Sequence, residues 1–182
     1  SERMLPAQSL RTEPRQPARD EKDLLLHLCC GPCAEYPLQV LREQGWAVTG
    51  CFYNPNIHPE AERLKRAWNV LRLAELKAFT VYYDDENREA EWRGFGGGQA
   101  EHCRTCYSLR MDYAAAEAAA GGFRAFTTSL LVSPYQDRTE LVAAGQRAAR
   151  RHEVTFLDLD FREGYRKGQD MAIADGLYRQ KY

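Results

Sequence analysis

The sequence predicts an α/β fold, a parallel sheet flanked by helices. Three observations lead there. Short apolar runs alternate with segments whose apolar residues recur at helical spacing. Successive strands are joined through helices, the connection that parallel strands require. The stretches after strands hold the unusual residues, namely Cys29–Cys33, Asn54–His58, Ser129–Asp137 and Asp158–Arg162. Ligands of open parallel sheets bind outside the carboxyl ends of the strands, so this placement points to an enzyme.

Each element has its own signal. Leu24–Leu28 is a short, wholly apolar run apart from His27 and reads as a buried strand. Ala34–Gln44 reads as a helix, with Leu38 and Leu41 on one face and Gly45 as its stop. Trp46–Tyr53 alternates Val48, Gly50 and Phe52 and is a second strand. The prolines stiffen Asn54–Pro59 into a loop, and Pro59 suits the first turn of a helix over 60–77. There Leu64, Ala67, Trp68, Leu71 and Leu76 recur at helical spacing. Phe79–Tyr83 is a third strand. Residues 84–102 are irregular, with a short helix at Glu89–Arg93 broken by three glycines. An alanine-rich helix over Cys103–Ala120 ends at Gly121-Gly122. A strand at Ala125–Thr128, a helix at Asp137–Arg151, a strand at Val154–Leu157 and a helix at Glu163–Ala174 complete the pattern.

The chain has 182 residues, enough for one domain with a full-sized core. Residues 1–22 carry three prolines, several charges and no apolar periodicity, and are expected to be a mobile N-terminal extension. Residues 23–182 are expected to form a single α/β catalytic domain. Net charge is −1, so any nucleic-acid-binding face must be local. No apolar run approaches the roughly 18–20 residues that span a bilayer, and no secretory leader is visible. A cytoplasmic protein without a membrane partner is expected, in a compartment where clustered cysteines signal metal or redox chemistry.

Five of the six cysteines fall in two groups. Cys29, Cys30 and Cys33 follow the first strand, and Cys103 and Cys106 form a second C-x-x-C pair. Each group is expected at a helix start, where free N–H groups and the helix dipole stabilise thiolates. Four thiolates suit zinc or an iron–sulfur cluster, and spacing alone does not choose between them. The adjacent Cys29-Cys30 is awkward for a zinc knuckle, and a fifth thiol favours a richer metal centre. A thioredoxin-like reading through Cys30 and Cys33 leaves Cys29 without a role. Cys51 and His27 lie inside strands and read as core residues.

The loops after the second and fourth strands, Asn54–Pro59 and Ser129–Asp137, combine polar donors with an aromatic ring on which a nucleobase can stack. Arg104, Arg110, Arg138, Arg147, Arg150, Arg151, Arg162, Arg166 and Lys167 are candidate phosphate contacts.

These motifs, in this order, resemble the cobalamin-independent epoxyqueuosine reductases of the QueH type. The likeness rests on His27–Cys33, Phe52–Pro59, Cys103–Tyr107 with Arg110, Thr127–Gln136, Asp160–Arg162 with Tyr165, and Leu177–Tyr182. It spans about residues 23–182. The resemblance implies a Rossmann-like domain of the adenine-nucleotide α-hydrolase (HUP) type. It implies reductive deoxygenation of epoxyqueuosine to queuosine at the wobble position of a tRNA anticodon stem–loop, with electrons from an external donor. Cys29, Cys30, Cys103 and Cys106 match the family's 4Fe–4S ligands, and Cys33 is the candidate ligand of an additional mononuclear iron. The family's Cys-Gly-Cys pair lies beyond the terminal tyrosine, and this sequence ends at Tyr182. Expected proton donors are His58, Tyr135 and Asp137. Expected substrate contacts are Asn54, Asn56, Tyr107, Arg110, Ser129, Ser133, Gln136 and Arg162. The competing readings are a zinc-stabilised nucleic-acid-binding module and a thiol oxidoreductase.

Overall fold

A computed structural model describes residues 20–54, 60–83 and 99–177, without the side chains of 83 and 99–103. Residues 1–19 of the expected extension, the loop 55–59 with Asn56 and His58, the expected helix Glu89–Arg93, the side chains of His102 and Cys103, and residues 178–182 lie outside the described residues.

The strands are β1 (Asp23–Leu28), β2 (Ala47–Phe52), β3 (Val81–Tyr83), β4 (Ala125–Thr128) and β5 (Thr155–Phe156). The helices are α1 (Gly31–Glu43), α2 (Glu60–Lys77), α3 (Gln99–Ala120), α4 (Arg138–His152) and α5 (Tyr165–Ala174). Short 3-10 turns occupy Ser129–Val132 and Arg162–Gly164. The five strands are all parallel, in the order β3-β2-β1-β4-β5. α1 packs against α2 and α5, and α3 packs against α4. The result is the sheet flanked by helices that the sequence predicts.

β1 lies at the centre, and Leu24, Leu25, Leu26 and Leu28 are fully buried. A strand covered on both faces can be continuously apolar, which explains its lack of alternation. Strand order reverses at β1: β2 lies on one side and β4 on the other, with His27 opposite both Cys51 and Thr128. The two chain segments leaving β1 and β4 therefore start side by side, at the switch point where doubly wound sheets open a crevice.

Some boundaries differ from the sequence reading. α1 starts at Gly31, three residues earlier than expected, because Pro32 fits a first turn that needs no N–H. Pro37 lies inside that helix and offers no N–H to the Cys33 carbonyl one turn back. α3 starts at Gln99, so Cys103 and Cys106 lie beyond the first turn and outside its free N–H groups. β3 begins at Val81 because Ala78 takes a left-handed conformation (φ 57°) and the Phe79 N–H still bonds to the Ala74 carbonyl. β5 is only two residues long, as suits an edge strand.

Glu35 on α1 is a buried acid, 1% exposed, and neither carboxyl oxygen has a hydrogen-bond partner among the described residues. Lys77 Nζ lies 3.8 Å away and also pairs with Asp175 at 3.2 Å. Burial, reinforced by the Asp175 carboxylate and opposed by Lys77, pushes the Glu35 carboxyl up to about 8. The folded state therefore holds a proton that the unfolded chain releases above its ordinary carboxyl range. Its stabilising effect is full below that range and is lost as pH rises toward 8. Glu35→Gln should remove this loss: relative to the parent it gains on the order of 1–4 kcal/mol between pH 5 and pH 9. Denaturant unfolding at both values measures it, and parallel curves for the two proteins would refute it.

α4 meets β5 at a glycine. A Cβ on Gly145 would lie 2.7 Å from the Phe156 ring, well inside contact distance. Gly→Ala in a helix interior ordinarily stabilises by about 0.5–1 kcal/mol. Gly145→Ala should instead destabilise by about 1–3 kcal/mol through overpacking, read as a lower Tm.

Candidate metal centre

The site is built where β1 ends. Cys29 is the first residue after the strand, Cys30 is the N-cap of α1, and Cys33 lies in its first turn. They are 7%, 1% and 3% exposed, and their sulfurs all lie within 4.8 Å of one another. Gly31 allows this helix start to sit against α2: a Cβ there would come within 3.0 Å of the Asn69 carbonyl oxygen. Cys30 holds the N-cap position, and the Cys33 backbone N–H supports charge on its sulfur.

Three buried thiols this close cannot all ionise without a cation among them. Hydrogen bonds from the Cys30 and Cys33 thiols, with a further one from Ser129, hold the Cys29 thiol well below its usual range, against the cost of burial. The Cys30 and Cys33 thiols are pushed up, chiefly by the charge they support on Cys29 and by burial. Within the group, negative charge is thus favoured on Cys29 over Cys30 and Cys33. The donor set is all sulfur and dry, which suits a soft metal or an iron–sulfur centre. Three sulfurs are one short of the four that either zinc or such a cluster takes.

The surroundings are braced by side chains. Ser129, fully buried, has its hydroxyl 3.1 Å from the Cys29 backbone nitrogen and 3.3 Å from the Cys29 sulfur. His27 spans the sheet end: Nε2 is 2.9 Å from the Tyr53 carbonyl and Nδ1 2.9 Å from the Thr128 hydroxyl. A carbonyl only accepts, so Nε2 carries the proton and Nδ1 accepts from Thr128. Thr128 in turn accepts from the Leu130 N–H. Burial, with the Arg110 charge, lowers His27 to about 4, leaving a neutral core histidine as the sequence suggests. Asn54 donates Nδ2–H to the Leu28 carbonyl, and its buried Oδ1 has no partner among the described residues.

Other expected site residues fall at different distances from chemistry. Cys106 is buried on α3, but its sulfur does not join the 4.8 Å group. Cys51 is a buried core thiol. Tyr107, on α3, donates its hydroxyl to Gln136 Oε1 at 2.8 Å and accepts the Asp137 N–H at 3.0 Å, tying α3 to the loop after β4. Ser133 accepts the Tyr135 N–H, and Asp137 caps α4 by accepting the Glu140 N–H. Tyr135 is 69% exposed, edge-on to Tyr165 at 5.9 Å. Arg110 is buried, which removes it from the exposed cations. Arg162 is exposed and forks onto the Asp160 carboxylate at 2.9 and 2.7 Å. The Ser129–Cys29 contact escapes sequence reasoning, because only strand register brings two residues a hundred positions apart together.

Cation uptake at this group requires thiolates and so releases protons. With zinc as the probe under anaerobic conditions, apparent affinity should rise by about tenfold or more per pH unit near neutrality. A competition titration at two pH values reads this slope, and a flat profile would refute thiol ligation.

The chain matches the family described as Epoxyqueuosine reductase QueH over residues 24–182. It is 33% identical to the Epoxyqueuosine reductase QueH of Dehalococcoides mccartyi, covering 87% of this chain and 88% of the relative. It is 30% identical to that of Haemophilus influenzae, covering 96% and 78%. The protein of the same name from Helicobacter pylori is 35% identical over 87% of this chain but only 47% of its own length. The match runs from β1, through the three-thiol group, to the last residue, and the chain belongs to the epoxyqueuosine reductase QueH family.

Proposed function

We propose that this chain reduces epoxyqueuosine to queuosine in tRNA, using a 4Fe–4S cluster on Cys29, Cys30, Cys103 and Cys106 and an additional iron at Cys33. The observation that carries the reading is the buried three-sulfur group at the β1/β4 switch point, in a chain of this family. Removal of the epoxide oxygen takes two electrons and two protons, forms a carbon–carbon double bond and releases water. When bound, the iron–sulfur centre would supply the electrons one at a time, replenished by an external donor.

The protein's own groups do the rest. The first turn of α1 places the positive end of its dipole beside the thiols, and the Cys33 N–H supports charge on the Cys30 sulfur, both favouring negative charge there. Asn54, after β2, and the loop after β4 stand at the ends of the central strands. Asn54 Oδ1 is a buried acceptor for an incoming hydroxyl or N–H. Tyr135, with Tyr165 edge-on to it, offers an exposed ring for an unstacked base. Tyr107 and Gln136 hold each other and fix the loop that carries Tyr135. Of the three expected proton donors, Asp137 has one carboxylate oxygen on the α4 cap and Tyr135 faces solvent.

Phosphates need cations that are not already neutralised. Arg138 and Arg162 are paired with Asp158 and Asp160. A cleft of about 440 Å³ between α3 and α4 is lined by Arg104, Thr105, Ser108, Leu109, Asp112 and Arg151; Arg151 pairs with Asp112 at 2.8 Å, which leaves Arg104 as the cation to offer phosphate. Arg104 lies two residues from Cys106, so this cleft starts close along the chain to a proposed cluster ligand. It is the surface favoured here for the RNA backbone.

Anaerobic purification tests the reading directly. The expected protein is brown, contains iron and sulfide, and loses its visible absorption on Cys106→Ala. With a chemical reductant it should remove one oxygen from an RNA stem–loop carrying epoxyqueuosine, read by mass spectrometry. RNA affinity should fall with salt, and Arg104→Ala should lower the salt slope by about one phosphate contact. Tight binding of a single zinc, without iron or sulfide, would overturn the reductase reading.

A further inference from the structure

We infer that Ser129 is a positioning residue for the metal centre, its hydroxyl donating a hydrogen bond to the Cys29 sulfur and so raising the centre's reduction potential. The inference rests on the reading of Cys29 as a ligand and goes beyond it.

The hydroxyl has one proton and two lone pairs. The Cys29 N–H, 3.1 Å away, can only donate, so it occupies a lone pair of Oγ. The O–H proton is left free, and the Cys29 sulfur lies 3.3 Å from the same oxygen. A thiolate or a metal-bound sulfur has no proton to give, so in either state the bond runs from oxygen to sulfur. Ser129 is fully buried, so water cannot take over that role, nor can the side chain readily meet a substrate. Its position is rigid: it follows the last β1–β4 pair, His27 opposite Thr128, and opens the 3-10 turn that Thr128 caps.

The neighbouring sulfurs give this bond its weight: Cys30 and Cys33 lie within 4.8 Å and, as metal ligands, bring no proton to Cys29. The Ser129 hydroxyl keeps its proton when a cation is bound. Hydrogen bonds to a ligating sulfur draw off electron density and stabilise the reduced state.

The experiment compares the parent, Ser129→Ala and Ser129→Thr, each reconstituted anaerobically, for iron content and for midpoint potential by redox titration. The expected result is unchanged iron content, a more negative potential for Ser129→Ala, and a return toward the parent for Ser129→Thr, which restores the hydroxyl. Equal potentials for the parent and Ser129→Ala, at equal iron content, would overturn the inference and leave the reductase reading intact. Should Ser129→Ala fail to fold or load, the parent supplies a second readout. Its reduced centre should show a coupled proton that exchanges in heavy water, and its absence overturns the inference. A parent that binds no iron fails the reductase reading and this inference together.

Discussion

β1 and β4 end side by side, and the sulfur site depends on that pairing. Parallel pairing fixes His27 against Thr128, and just beyond it the Cys29 N–H reaches the Ser129 hydroxyl. The strand order sends the preceding crossovers to one side and the following ones to the other, so nothing in the sheet fills the gap above these ends. Related architectures use that gap to bind phosphate on a glycine-rich turn and a helix N-terminus. Here the same helix N-terminus is retained, but the turn carries thiols. A soft, charge-crowded pocket stands where a hard anion would otherwise sit.

The electrostatics follow from crowding. Burial works against every charge in the group, and each additional thiolate works against the others. Charge on Cys29 is favoured by hydrogen bonding with the neighbouring thiols and the Ser129 hydroxyl. A cation reverses the balance, converting mutual repulsion into a shared attraction. The neutral His27 adds no competing charge, and its two hydrogen bonds tie together the ends of the three central strands. The site is thus rigid before any metal is present, which suits a centre that must hold its geometry through electron transfer.

The fold was legible because its signals are local. Leu24–Leu28, the helix over 60–77 and the strand Ala125–Thr128 each announce themselves by the period of their own apolar residues. The grouping of Cys29, Cys30 and Cys33 was legible for the same reason, since all three lie within five residues. The start of α3 was not: Gln99–His102 carry no apolar periodicity, so the pattern begins only near Cys103 although the helix does not. The hydroxyl on Cys29 and the Tyr107 link to Gln136 were illegible because both depend on which strands and helices become neighbours. Sequence reasoning finds the chemistry that is consecutive and misses the supports that fold in from far away.

That separation along the chain has a consequence for biosynthesis. The thiols emerge from the ribosome together, while Ser129 and β4 follow about a hundred residues later. Pairing between such distant parallel strands forms late in folding. For that interval the nascent chain carries three clustered thiols without the strand that encloses them. Any thiol-seeking metal in the cell meets the group first as an open trap. Fidelity of metal choice is then partly a matter of timing, decided by whether β4 closes the site before or after its contents arrive.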